Sequence, residues 1–485
     1  MRTELKSKVF SGLIWSSIRV GGNRLGGLLV FFVLARHLSP EDFGIYAAVW
    51  AILLFVEIFS ELGMSDAIVQ RKDITPELLN TVFAVNFVCA LTIYAILWFL
   101  APKISAWLNM TNIELPLRIA SLTLIFNALG FCQFAMCRRE FAYRWLAMRT
   151  LLATIISGLL GISLALIGMG VWALIVQLLT MAVINVVMLW IKPMWRPSLR
   201  FSISGLTQVL HYSVKLMLSR VLDAANTRVF ELVIGAWMGA VTLGVYSIGS
   251  RINAIGMQFL SSVGLDVAHS SFSRLASNKD DFLSAYYKAI TATAAIALPS
   301  FVLVSAVGVE ICEAFFGARW VASGAVLSLL ALLGGVQVIE YVNGTSLSSL
   351  GRTGLTLILS LTKAFVTALV LMVFGHGELI TLLKAFVIGQ ALICPISFAL
   401  GKRYISFSWR QLALCIWPFM FAAAVAYYAI SMVQHFWLPP SSWLRLVSFT
   451  SVGVITYSLI ALVLAPKTVM RAARMLSRRS AASSL

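Results

Sequence analysis

Val171 to Ile191 reads VWALIVQLLTMAVINVVMLWI, with no charged residue along its length. A hydrocarbon core about 30 Å thick takes roughly 20 apolar residues to cross as a helix. Lipid offers the backbone no hydrogen bonds, so a spanning chain is helical or part of a closed barrel. Barrel strands alternate polar and apolar residues over roughly ten positions. Here the apolar run is continuous and about twice that length, so it reads as a transmembrane helix.

The same kind of run recurs along all 485 residues. The pattern predicts fourteen helices, at about 9–35, 44–63, 81–101, 116–136, 146–167, 171–191, 206–236, 242–264, 283–306, 321–344, 355–374, 380–400, 411–431 and 444–465. The fold class expected is therefore an all-α polytopic membrane protein. Composition agrees: 60% of residues are hydrophobic, 12% are charged and the mean hydropathy is +0.92, where a soluble chain is about a quarter charged. The links are short, and none holds a folded extramembrane domain. The start, with Arg2, Lys6 and Lys8, resembles a signal peptide, but its apolar stretch is too long and carries Arg19 and Arg24, so it reads as a retained first span.

A net charge of +18 would suggest nucleic acid in a soluble protein; in a membrane protein it anchors cytoplasmic loops. One set of alternate links holds Arg2, Lys6 and Lys8; Arg71 and Lys72; Arg138, Arg139, Arg144 and Arg149; Lys192, Arg196 and Arg200; Arg274, Lys279 and Lys288; Arg352; Lys402, Arg403 and Arg410; and the tail from Lys467 to Arg479. The opposite set holds Arg36, Lys103, Arg118, Arg319 and Arg445. This asymmetry places both termini in the cytoplasm, with the chain in the inner membrane. The tail reads as a headgroup anchor. The scattered cysteines, without a CxxC, read as packing residues.

An internal repeat is visible at an offset of 200 residues. Phe32-Val33-Leu34-Ala35, then Leu38-Ser39, then Phe43-Gly44-Ile45-Tyr46 align with Leu232-Val233-Ile234-Gly235, Met238-Gly239 and Leu243-Gly244-Val245-Tyr246. Parallel repeats of this kind characterise transporters with a site between the halves. The expected organisation is an N-terminal bundle over 1–200, a second bundle over 201–405, and two added helices with a basic tail over 406–485.

Charges inside the predicted spans carry the functional expectation, because each is costly in hydrocarbon, roughly 2.5–3.5 kcal/mol on insertion scales. The basic ones are Arg19, Arg24, Lys215, Arg220, Arg228, Arg251, Lys363 and Lys384; the acidic ones are Glu57, Glu61, Asp223, Glu231 and Glu340. Some neutralise locally: Arg220 with Asp223 and Arg228 with Glu231 are one helical turn apart, Lys384 reaches the interface, and Glu57 and Glu61 can sit among headgroups. The set still sums positive. Arg24, Arg220 and Arg251 fall near the middle of their spans, where a guanidinium needs a wet cavity and an anion. The expected anion-binding set is Arg19, Arg24, Lys215, Arg220, Arg228, Arg251 and Lys363, since Arg presents a planar fork to phosphate. Glu57, Glu61, Asp223 and Glu340 are the candidate carriers of a coupling ion. Gly21, Gly22, Gly26 and Gly27 serve either close packing or a flexible point in the first span, and Pro299 and Pro395 read as hinges or kinks. No P-loop, HExxH, GxSxG or paired His/Cys ligand spacing is present, so no catalytic residue, metal or cofactor is assigned.

Three stretches bear a resemblance: KVFSGLIWS (Lys8–Ser16), LARHLSPEDFGIY (Leu34–Tyr46) and ELGMSDAIVQR (Glu61–Arg71). They resemble the opening of Wzx-type polysaccharide flippases, of the exopolysaccharide and colanic-acid type, within the multidrug/oligosaccharidyl-lipid/polysaccharide exporter superfamily. The resemblance is specific in the first 75 residues and general beyond. It implies two six-helix bundles with two extra helices, and an undecaprenyl-pyrophosphate-linked oligosaccharide as substrate, moved by alternating access. Related lipid II flippases carry cavity arginines on their first and eighth helices; Arg24 and Arg251 match in kind, and Arg19 is a further candidate. Implied partners are membrane lipids and, as candidates, a polysaccharide polymerase and a chain-length regulator. Two other readings remain open: a multidrug or organic-cation antiporter, which predicts an acidic or apolar cavity, and a membrane-embedded polymerase, which needs a sizeable outer loop with acids. The longest outer link expected here, 102–115, holds only Glu114.

Overall fold

The computed structural model describes residues 2–61, 64, 68, 74–198, 200, 202–275 and 278–466. The helices in chain order are α1 (Arg2–His37), α2 (Pro40–Glu61), α3 (Pro76–Leu108), α4 (Glu114–Ala120), α5 (Leu122–Arg139), α6 (Tyr143–Leu166), α7 (Val171–Ile191), α8 (Ile203–Leu275), α9 (Lys279–Ala306), α10 (Gly308–Phe316), α11 (Val321–Ser349), α12 (Thr353–Phe374), α13 (Leu379–Ile405), α14 (Trp409–Phe436) and α15 (Ser442–Leu464). Among the described residues there is no strand, and twelve helical stretches are long and apolar enough to cross a membrane. Adding α1 and counting the halves of α8 separately gives the fourteen crossings expected.

Two compact units divide the chain, Met1–Gly244 and Val245–Leu485. In the first, α1 lies on α6, α6 on α7, and α3 on α5. In the second, α9 lies against α11 and α14, α11 against α13, and α14 against α15. A core in this unit gathers Phe272, Tyr286, Phe398, Phe407 and Phe419.

Local chemistry sets the helix ends. Ser39 caps α2 reciprocally: its Oγ accepts from the Asp42 amide at 3.1 Å, and Asp42 Oδ2 accepts from the Ser39 amide at 2.9 Å. Thr75 caps α3 ahead of Pro76, and Asn278 caps α9 by accepting from the Asp280 and Asp281 amides. At Gly239, φ is 83°, a conformation that costs glycine nothing. That residue breaks α8 where the sequence leaves a turn between two spans.

The structure differs from the expected pattern in two places. The stretch 102–115 is not an open loop. α3 continues through Pro102 to Leu108, and a 3₁₀ turn over Thr111–Ile113 leads into α4. Proline lacks the N–H that would bond the carbonyl four residues back. Here that carbonyl, Trp98 O, accepts from Arg118 Nε at 3.1 Å, so the helix survives. Pro299 in α9 is accommodated in the same way: the freed Ala295 carbonyl accepts from the Tyr457 hydroxyl at 2.8 Å. The second difference is α10, a short helix between two spans. Its face is fastened to the last two helices by Glu313 to Arg445 Nη2 at 2.7 Å and by Gln434 to Glu310 at 3.2 Å.

Candidate functional site

α1 uses its glycines in two registers. A Cβ on Gly22 would come within 2.6 Å of Leu151, and one on Gly26 within 3.2 Å of Thr154. Val30 occupies the space a side chain on Gly158 would need, and Thr154 Oγ1 donates to Asn23 Oδ1 at 2.6 Å. Numbers rise together along the two helices, so α1 and α6 run parallel, as first and fifth crossings must. Small residues let the backbones approach this closely.

Gly21 and Gly27 face elsewhere. Nothing lies within 4 Å of a Cβ at either. Each is three residues from Arg24 and shares its face. Arg24 is exposed, and among the described residues no carboxylate pairs with it. A guanidinium stands there on an open face thinned by two glycines, near the middle of a spanning helix. Such an arrangement admits a bulky anion and offers it a bidentate fork.

A cleft of about 470 Å³ opens in the same unit, lined by Leu54, Glu57, Ile58 and Glu61 of α2 and by Ala224, Thr227 and Arg228 of α8. Glu57 and Glu61 are four residues apart and share one face of α2. Glu57 Oε1 accepts from Asn127 Nδ2 of α5 at 2.8 Å. Arg228 grips Glu231 through Nη1, at 3.0 and 2.9 Å to the two carboxylate oxygens. The cleft therefore offers carboxylates beside a cation already engaged.

In the second unit Lys363 Nζ lies 2.9 Å from Glu340 Oε2, and Glu340 is only 5% exposed. Gln390 donates to Thr367 Oγ1 at 2.9 Å and to the Lys363 carbonyl at 3.2 Å. This pair is a closed polar contact among α11, α12 and α13.

The predicted residues are thus distributed as follows. Arg19 lies on the α6 side of α1, near Arg149, and Arg24 on the open face. Arg228 and Lys363 are each held by a carboxylate. Arg251 is exposed on the second half of α8, in the second unit. The side chains of Lys215, Arg220 and Asp223 lie outside the described residues, as does the tail from Lys467 to Arg479. Sequence reading missed Asn127 as a partner of Glu57, because a neutral amide inside a span gives no charge signal. It also assigned Arg149 to a loop, whereas α6 begins at Tyr143.

Comparison with known proteins agrees with this architecture. The chain is 23% identical over 439 residues to the succinoglycan biosynthesis transport protein ExoT of Rhizobium meliloti (strain 1021), covering 89% of this chain and 88% of that protein. It is 22% identical over 440 residues to the lipopolysaccharide biosynthesis protein WzxC of Escherichia coli (strain K12), covering 88% and 89%. Among solved structures, the lipid II flippase MurJ in an inward closed conformation superposes with a TM-score of 0.75 at 14% identity, covering 94% of this chain and 100% of that one. The family model described as "Polysaccharide biosynthesis protein" matches residues 33–325. That match spans more than half of the chain, and the protein belongs to the polysaccharide biosynthesis protein family.

Proposed function

We propose that this protein is a flippase for a lipid-linked oligosaccharide, carrying an undecaprenyl-pyrophosphate-linked repeat unit from the cytoplasmic to the periplasmic face by alternating access. The product would feed exopolysaccharide, O-antigen or capsule synthesis. The observation that carries this reading is Arg24, a guanidinium with no carboxylate partner among the described residues on an open face of a membrane-spanning helix. A charge so placed is costly unless it meets an anion or a wet cavity. A pyrophosphate supplies two phosphates to the Arg fork, and the polyprenyl tail stays in lipid. Family membership and the kinship to a succinoglycan transport protein support the same substrate class.

In this reading the chain lies in the inner membrane with both termini cytoplasmic, an orientation that the Lys/Arg asymmetry supports. Segments 1–200 and 201–405 are the moving halves, and 406–485 is an addition. Arg220 and Arg251 join Arg24 as anion ligands, with Lys215, Arg228 and Lys363 at the periphery of that role; Arg19, turned toward α6, stands apart from this set. Glu57, with Glu61, carries a coupling proton or cation in the α2–α8 cleft; Asp223 and Glu340 are the alternatives. A polymerase and a chain-length regulator receive the product.

The single acid of the 102–115 link, Glu114, is 2.7 Å from Arg118 at a helix junction. To test the flippase reading, Arg24→Ala and Arg24→Lys are expressed at equal protein level and surface polysaccharide is measured. Ala should reduce output at least about tenfold, the effect of one lost charge-assisted bond. Lys should retain a fraction, since it keeps the charge and loses the fork. Full output from both would refute the role.

A further inference from the structure

Where α1 meets α6, one turn before the glycine contacts, two arginines lie with no acid paired to either among the described residues. Arg19 on α1 and Arg149 on α6 sit just before the Gly22–Leu151 contact and the Asn23–Thr154 hydrogen bond that hold the two helices together. The Nε atom of each is buried and has no hydrogen-bond partner. Trp145, one turn before Arg149 on α6, likewise has a buried indole Nε1 with no acceptor. Further cations surround the place: Arg144 lies 5.4 Å from the centre of the Trp15 ring, Lys192 Nζ 5.6 Å from that of Trp145, and Arg138 and Arg149 both sit over Phe134. Glu140, in the turn between α5 and α6, is exposed and forms no ion pair among the described residues.

Two part-buried like charges whose Nε donors are idle are unfavourable by themselves. Each idle N–H has lost water and gained nothing, a cost of about 1–3 kcal/mol apiece. Such an arrangement persists when an anion completes it. Three donors, two of them guanidinium, match the oxygens of a phosphate group. Basic pockets between spanning helices on the cytoplasmic side take anionic lipid headgroups. Along the same helix Met148, Leu152, Ile155 and Leu159 recur at helical spacing and are exposed by 40%, 40%, 55% and 62%, so an apolar track rises from the cluster.

We infer that Arg19 and Arg149, with Trp145, form a binding site for the phosphate of an anionic lipid, whose acyl or prenyl chain lies along the exposed stripe of α6. The site rests on the membrane placement of α1 and α6 and not on which molecule is transported. Arg24, on another face of α1, is not part of it.

The test uses the full-length protein purified in detergent, with bound lipid read by native mass spectrometry and thermal unfolding. Probes are phosphatidylglycerol, phosphatidylcholine with the same chains, farnesyl pyrophosphate and inorganic pyrophosphate. Phosphatidylglycerol or farnesyl pyrophosphate should bind and raise Tm, and phosphatidylcholine should not. Arg19→Gln and Arg149→Gln should each weaken binding at least about tenfold, the effect of one lost charge-assisted bond. Arg149→Lys, which keeps the charge should the Gln variant fold poorly, should weaken it less. Arg403→Gln, on the exposed end of α13, should change nothing. Preference for phosphatidylglycerol assigns the site to a resident membrane lipid; preference for farnesyl pyrophosphate assigns it to a polyprenyl carrier. Equal binding of both headgroup types, equal binding by the Gln variants, or inorganic pyrophosphate binding as tightly as the lipids would overturn the inference. Full polysaccharide output from Arg24→Ala with lipid binding intact would count against the flippase reading alone.

Discussion

Gly44 and Gly244, 200 positions apart, each press against the backbone of the other's turn. A Cβ on Gly44 would overlap the carbonyl oxygen of Ala240, and one on Gly244 would overlap that of Pro40. Pro40 and Ala240 are also 200 positions apart, so the contact is reciprocal, as a local two-fold axis requires. The turn between α1 and α2 and the break in α8 therefore close on each other through two repeat-related glycines. Backbone atoms cannot rotate away from an added methyl as a side chain can. Gly44→Ala and Gly244→Ala should each cost about 1–3 kcal/mol in any state where these turns meet. Surface polysaccharide should fall several-fold at equal protein level. Normal output from both variants would mean that the contact is not used in the transport cycle.

Glu340 and Lys363 give a second prediction. Removing one partner of a buried ion pair leaves a bare charge, at about 3–5 kcal/mol, whereas replacing both with apolar residues of similar volume is close to neutral. Glu340→Met and Lys363→Met should each lower the unfolding temperature, and the double variant should recover most of the loss. Simple additivity of the two losses would argue that the residues act independently.

Tyr457 and Pro299 are coupled through the Ala295 carbonyl. Tyr457→Phe strands that oxygen and should cost about 1–3 kcal/mol. In a Pro299→Ala background the helix N–H returns to the same carbonyl, and the Phe substitution should then cost little. Thermal unfolding of the four proteins reads the coupling directly; equal losses in both backgrounds would contradict it. At Trp98 the same logic holds: Arg118→Gln should cost less in a Pro102→Ala background than with Pro102 in place.

Glu57 bears on energy coupling. Glu57→Gln is isosteric and leaves an oxygen to accept from Asn127, yet it abolishes the carboxylate. Reconstituted transport should lose its dependence on an imposed proton or sodium gradient, while Glu114→Gln, whose carboxylate serves only a helix junction, should keep it. An unchanged gradient dependence in Glu57→Gln would move the coupling role to another acid.

Most of the fold was legible in the sequence, because lipid imposes one rule on every span: an unbroken apolar run of fixed length. Val171–Ile191 begins and ends where its hydropathy does. Ends were misjudged where a helix outruns the hydrocarbon. At roughly 1.5 Å per residue, the 33 residues of Pro76–Leu108 exceed the core thickness, and hydropathy does not follow the excess. α10 was missed because it is only nine residues long. Of the candidate site, charges gave the residues but not their partners. Arg228 pairs within its own helix, at a spacing readable from the sequence. Lys363 finds Glu340 across a helix boundary, which spacing cannot reveal. The two roles of the α1 glycines were equally hidden, since Gly21 and Gly22 differ only in which way α1 is rotated against α6.

The central claim, that a lipid-linked saccharide crosses the bilayer through this protein with Arg24 as an anion ligand, is tested most directly in vesicles. Purified protein would be reconstituted with a polyprenyl-pyrophosphate-linked oligosaccharide confined to one leaflet. The fraction of saccharide that becomes accessible to an impermeant lectin or glycosidase on the opposite side would be followed over time. The account predicts that this fraction rises with the wild-type protein and stays at the protein-free level with Arg24→Ala. A wild-type trace indistinguishable from empty vesicles, or an Arg24→Ala trace indistinguishable from wild type, would contradict it.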